Sequence, residues 1–192
     1  MLATAAMRRA CTRTLCASPR VMRPTSQPTL SFDPSAKTAM DKQEPPAPGA
    51  DFRVVIVGAG NINFGSDEGP WNHSFRLEHK LGPRLKVVAL IDPDAERARR
   101  VLKTKCQSFV LSAYKDTVVY PTFKDYMASV CAETYPHAVW VGSPPAFRGG
   151  TEPGRNLEQL LTAGLPNVPL FIEKPVSTGA VDQTFEVAKM LE

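Results

Sequence analysis

From residue 51 onward the apolar positions follow two alternating rhythms. Val54 to Val57 are four consecutive β-branched residues, a run that fits a strand buried on both faces. Similar short runs recur at Lys86–Ile91, Val118–Tyr120, Ala138–Gly142 and Pro169–Ile172. Between them the apolar residues return at helical spacing. A helix opens at Asn72 or Ser74, runs through Phe75, Leu77 and Leu81, and stops at Gly82-Pro83. Ala95, Ala98, Val101 and Leu102 share one face of a helix from Pro93 to Cys106, and its Arg and Lys residues read as a solvated face. Thr122 and Asp125 resemble a capping box ahead of a helix through Tyr126, Met127 and Val130. Leu157, Leu160 and Leu161 mark a helix ending at Gly164, and Val181, Phe185, Ala188 and Leu191 mark a last one. Asn61–Asn72 reads as an irregular insertion, and Ser108–Asp116 is poorly patterned. Regular alternation of strand and helix predicts an α/β fold: a doubly wound parallel sheet of about five strands with helices on both faces.

Composition adds a leader. Seven of the 23 basic residues and three of the 19 acidic ones lie in residues 1–50, which leaves 16 of each sign beyond. The folded part therefore gives no footing for nucleic acid through net charge. Met1–Arg23 holds five arginines and no acid, the composition of a mitochondrial transit peptide. A disordered tail, or an upstream extension of a chain starting at Met40, stays open beside it. Location is mitochondrial in the first case and cytoplasmic otherwise. Residues 41–50 form a Pro-rich linker, so the expected organisation is a leader and linker over 1–50 and one domain over 51–192. No apolar run approaches a membrane span, so no membrane partner is expected. Cys11, Cys16, Cys106 and Cys131 have no metal-ligand spacing with His73, His79 and His137, and no metal site or disulfide framework is expected. Cys131 reads as a packed small residue, and His73 and His79 as surface or cap positions.

The chemistry gathers where strands end. Gly58 and Gly60 follow the first strand. In a dinucleotide-binding fold the first glycine turns the chain, and the second admits a pyrophosphate to the N–H groups of a helix start. The full fingerprint wants a glycine or small residue three positions later, where this chain has Asn63. A Gly-x-Gly after an apolar run is equally an ordinary strand-to-loop turn. Asp92 ends the second strand, where an acid either binds a ribose hydroxyl or caps a helix. An acidic tip repels a 2′-phosphate and favours NAD over NADP, while Arg97, Arg99 and Arg100 keep NADP open. Taken alone, Lys174 reads as a surface lysine paired with Glu173.

Glu173-Lys174-Pro175 after the fifth strand, behind the Gly58-x-Gly60 loop and a strand ending in Ser143-Pro144, resembles the Gfo/Idh/MocA oxidoreductases. The resemblance covers about residues 52–192, the nucleotide-binding domain of that family. It implies a Rossmann-type sheet in which Gly58, Ala59, Gly60, Asn61, Ile62 and Asn63 hold the pyrophosphate of NAD or NADP. It places Asp92 on the adenosine ribose and Ser143 and Pro144 along the nicotinamide. Lys174 becomes the catalytic residue near the reacting oxygen, with Glu173 beside it and Pro175 after a cis peptide. The implied activity is hydride transfer between a sugar or polyol and nicotinamide. An ammonium near the reacting oxygen stabilises negative charge or relays its proton. Many relatives carry a histidine shortly after the fourth-strand proline; here Arg148 lies nearby. The family continues with a sixth strand and a second α/β domain, and this chain ends before them. The expectation is a truncated cofactor domain whose open sheet edge invites self-association. The alternative is a non-catalytic dinucleotide-binding regulatory protein on the same fold. A methyltransferase would share the glycine loop and the strand-two acid, but not the triplet or the five β-α units.

Overall fold

The computed structural model describes residues 46–66, 69 and 71–191. Five parallel strands pair in the order β3-β2-β1-β4-β5. They are β1 Phe52–Val57, β2 Leu85–Ile91, β3 Val118–Tyr120, β4 Ala138–Val141 and β5 Leu170–Ile172. The order reverses at β1: later strands add on one side as far as β3, then on the other from β4. Ligands in such sheets bind outside the carboxyl ends, at this switch point. Register brings those ends level. Val57 lies opposite both Ile91 and Val141, and Val141 lies opposite Ile172. Gly58, Asp92, Gly142 and Glu173 therefore leave the sheet abreast.

Strand alternation divides the core. Val54, Ile56, Leu85, Val87 and Leu90 face Leu77, Ala98, Leu102 and Tyr114. Val55, Val57, Val139 and Val141 face Phe123, Tyr126, Leu161 and Leu165 on the other side. Each such aliphatic side chain, fully buried, contributes roughly 1.5–3 kcal/mol. The helices are α1 Asn61–Phe64, α2 His73–Leu81, α3 Ala95–Cys106, α4 Leu111–Tyr114, α5 Phe123–Met127, α6 Leu157–Gly164 and α7 Val181–Leu191.

Side chains set several helix starts. Asn72 Oδ1 accepts from Phe75 N at 2.9 Å. Asp94 Oδ1 accepts from Arg97 N at 2.9 Å, so α3 begins at Ala95 and leaves Pro93 outside. Thr122 Oγ1 accepts from Asp125 N at 3.2 Å and donates to Asp125 Oδ2 at 2.7 Å. The helix it caps ends at Met127, short of Val130.

Four expectations change. Residues 61–72 are not wholly irregular, because Gly60 C=O accepts from Asn63 N and Phe64 N and closes the single turn α1. Residues 108–116 contain α4, which buries Tyr114; its hydroxyl donates to Glu78 Oε1 at 2.7 Å. Burial first, and then Glu78, hold the Tyr114 phenol far above its usual range. Lys105 is not part of a solvated face: its ammonium lies 2.7 Å from the same Glu78 oxygen, where that carboxylate and Tyr114 meet. Cys131 is exposed rather than packed. The transit-peptide reading, Cys11, Cys16 and the first half of the linker lie outside the described residues. Among the described residues no helix is long and apolar enough to cross a membrane.

Candidate functional site

The glycine loop is shaped by its closeness to β4. Gly58 has φ +96°, and a Cβ there would meet Ser143 N at 3.0 Å. Only glycine allows both the turn and the approach. A Cβ on Gly60 would meet nothing within 4 Å, so that residue faces open space. The N–H groups of Gly60, Asn61 and Ile62 have no acceptor among the described residues. Asn63 is buried, and its Nδ2 donates to Val57 O at 3.0 Å and Gly58 O at 2.7 Å. A Cβ on Gly142 would run into the Asn63 amide. The close packing that a third glycine supplies in the usual fingerprint is met here from the other side, by Gly142. Asn63 fills the space and satisfies two carbonyls.

Asp92 joins this loop to β2. It is 3% exposed, and its Oδ2 accepts from Ala59 N at 2.6 Å. Its Oδ1 accepts from Asp94 N and Arg97 Nη2, both at 2.8 Å. The helix cap belongs to Asp94 instead, whose carboxyl the Arg97 N–H holds below the usual carboxylate range. Oδ2 keeps one lone pair for a further donor.

On the other half of the rim, Ser143 follows β4 with its Oγ buried and, among the described residues, unpartnered. Pro144 is exposed. Glu173 follows β5 and is nearly buried; its Oε2 lies 3.1 Å from His73 Nε2. His73 is 2% exposed, with its ring 5.1 Å from that of Phe171 and 5.5 Å from that of Trp140. It is therefore neither a surface nor a cap residue, and the sequence reading missed it. One signal could have found it. Helices that follow parallel strands begin at the carboxyl rim, so first-turn residues such as His73 are candidates by position.

Lys174 is exposed and has no ion pair among the described residues. Glu173 turns to His73, so the simple Lys174–Glu173 surface pair does not form. The Lys174 ammonium sits 5.6 Å from the Trp71 ring centroid, and Pro175 follows a cis peptide.

Arg148 is the largest fully buried side chain described, at 1% exposure. Its Nε donates to Ser143 O and its Nη1 to Val176 O, each at 2.9 Å, and its Nη2 donates to Glu173 O. Burial pushes its guanidinium down, against the opposing charges of Glu158 and Glu173. Behind it the buried Glu158 accepts from Gly149 N at 2.8 Å.

These residues fit a dinucleotide. An open glycine, three free N–H groups and an acid bound to the same loop make up one end. A buried hydroxyl and an exposed ammonium make up the other.

The comparisons agree with this fold. The model of the Gfo/Idh/MocA oxidoreductase family, with an NAD-binding Rossmann fold, matches residues 52–192. Two uncharacterized proteins of Schizosaccharomyces pombe are 43% identical over 146 residues and 41% identical over 152. The matches cover 75% and 78% of this chain but only 38% and 37% of those relatives, so the chain spans well under half their length. A crystal structure of the super-repressor mutant of Gal80p from Saccharomyces cerevisiae shares the fold, with TM-score 0.51 and 18% identity over 74% of this chain and 32% of that one. The family match runs through all five strands and every loop of the rim, and the chain belongs to the Gfo/Idh/MocA oxidoreductases through their NAD-binding domain.

Proposed function

We propose that residues 51–192 form a domain that binds a nicotinamide dinucleotide across this rim and presents Lys174 to the reacting oxygen of a sugar or polyol. The observation that carries the reading is the register that sends Gly58, Asp92, Gly142 and Glu173 off the sheet side by side. The N–H groups of Gly60, Asn61 and Ile62 are suited to a pyrophosphate, in a loop built by Gly58, Ala59 and Asn63. Asp92 Oδ2 is suited to a ribose hydroxyl. NAD is favoured over NADP, because a 2′-phosphate would meet the Asp92 carboxylate and Arg97 is already engaged by it. Ser143 and Pro144 line the nicotinamide end, and Glu173, fixed by His73, steadies the backbone that carries Lys174.

The cofactor, when bound, supplies or accepts the hydride. Lys174 stabilises negative charge on the substrate oxygen, or carries its proton. Among the described residues no carboxylate pairs with the ammonium, which supports either task.

Titration of the full chain with NADH, NADPH and S-adenosylmethionine, read by nicotinamide fluorescence and thermal shift, tests the reading. NADH is expected to bind tighter than NADPH, and Lys174→Met to retain NADH within about twofold while losing any sugar or polyol turnover. Binding of S-adenosylmethionine alone would overturn the proposal. NADH binding with no turnover of any sugar or polyol would support a truncated cofactor domain.

A further inference from the structure

We propose that Arg148 is a positioning residue for the nicotinamide half of this site: its guanidinium fixes the spacing between the Ser143 loop and the Lys174 loop. The inference rests on the cofactor reading above and adds a role that the Arg148 position in the sequence does not indicate.

Beyond Glu173 the sheet can no longer hold these two loops together. The last ladder bond between them runs from Glu173 N to Val141 O. Past it, Pro144, Pro145 and Pro175 have no N–H to donate. Among the described residues no main-chain hydrogen bond joins residues 143–147 to 174–177. Arg148 supplies the missing tie. Three nitrogens of one planar group reach three carbonyls: Ser143 on the first loop, Glu173 and Val176 on the second. The fork is rigid, so the separation of those carbonyls is set by the guanidinium itself.

The tie is also anchored from behind. Gly149 has φ +71°, and a Cβ there would collide with the Val176 carbonyl and the Ser177 side chain. Glu158 on α6 holds Gly149 N. Arg148 is buried and offers nothing to a ligand directly; it acts through Ser143 and Lys174. The pyrophosphate and ribose end is held separately by Asp92, on the far side of β1.

ADP-ribose, which lacks the nicotinamide, separates the two halves. The full wild-type chain is expected to bind NADH about tenfold tighter than ADP-ribose. Arg148→Lys keeps the charge but cannot span three carbonyls. It should bind ADP-ribose as wild type does, lose most of the NADH preference, and lose the change in nicotinamide emission on binding. Arg148→Gln should do the same to a greater degree. Variants that keep the full NADH preference would overturn the positioning role, as would equal loss of both ligands or failure of both variants to fold. A wild-type chain that binds neither ligand would sink the cofactor reading itself, and this inference with it.

Discussion

Two buried charged side chains hold the two halves of the rim, and they do so with opposite chemistry. Asp92 receives N–H donors, from Ala59, Asp94 and Arg97. Arg148 gives N–H donors to the carbonyls of Ser143, Glu173 and Val176. The sign of each charge reports which main-chain groups face inward. In the glycine loop one N–H turns in to Asp92, and the next three lie free at the start of α1, a surface that suits an anion. After β4 and β5 the prolines remove donors, carbonyls turn in, and side chains such as Lys174 are left outside. On the function proposed above, the first half holds the ligand and the second presents reactive groups to it.

The largest test of that contrast is Arg148→Leu. It leaves three carbonyls unpaired and the charges of Glu158 and Glu173 uncompensated, at a cost of about 3 kcal/mol or more. Asp92→Asn keeps one acceptor oxygen, and Arg97 is half exposed. Its cost is about 1–2 kcal/mol. Urea unfolding of both variants checks the order, and the reverse order would break the comparison. Ligand binding should rank the other way for the first half of the site: Asp92→Asn weakens ADP-ribose, and Arg148→Lys does not.

The two glycines sharpen the same contrast. Gly58→Ala forces a Cβ onto the Ser143 backbone at positive φ, costing about 1–3 kcal/mol. Gly60→Ala places its methyl in open space, with φ −81°, and should change stability by less than about 0.5 kcal/mol. On the proposed reading that methyl stands where the pyrophosphate approaches, so ADP-ribose affinity should fall about tenfold or more. Unchanged affinity in a folded Gly60→Ala chain would remove the pyrophosphate from this loop.

How much of this was readable beforehand follows from range. Val54–Val57 announced a doubly buried strand, and Asn72 and Thr122 announced helix starts, because those signals are local. The single turns α1 and α4 were missed since four residues are too few to show a period; α4 is held by Tyr114 reaching Glu78 on α2. Asn63 was legible as a departure from the fingerprint, but its compensation by Gly142 sits on another strand. His73 meets Glu173 across 100 residues of sequence, a distance no spacing rule covers. Arg148 could be seen lying near where many relatives place a histidine. That it binds three carbonyls could not, since nothing in a one-dimensional pattern says which backbone groups have lost their partners.

The opposite rim gives the smallest effect and a control for the rest. At the amino ends of β1 and β4, His137 and Arg53 exchange two bonds: His137 N donates to Arg53 O at 2.8 Å, and Arg53 N donates to His137 Nδ1 at 2.9 Å. The accepting nitrogen must be unprotonated. Burial, then the nearby Arg53 charge, hold the His137 imidazole below its usual range. An unfolded histidine titrates at about 6.5, so just below that pH the unfolded chain binds more protons and stability falls as the pH is lowered. The contribution is complete above about 6.5 and is lost as pH falls through the depressed folded value. The ring is partly exposed, and solvent screening keeps the effect under about 1 kcal/mol. His137→Asn offers Oδ1 in place of Nδ1 and has no proton to gain. Urea midpoints between pH 5 and 7 should fall for wild type more steeply than for this variant, with near coincidence at pH 7. Parallel slopes would mean that the ring nitrogen is not the acceptor closing this end of the ladder. The Arg148 and Asp92 variants should show the wild-type slope, shifted down by a constant, which separates loss of a fixed brace from loss of a titrating one.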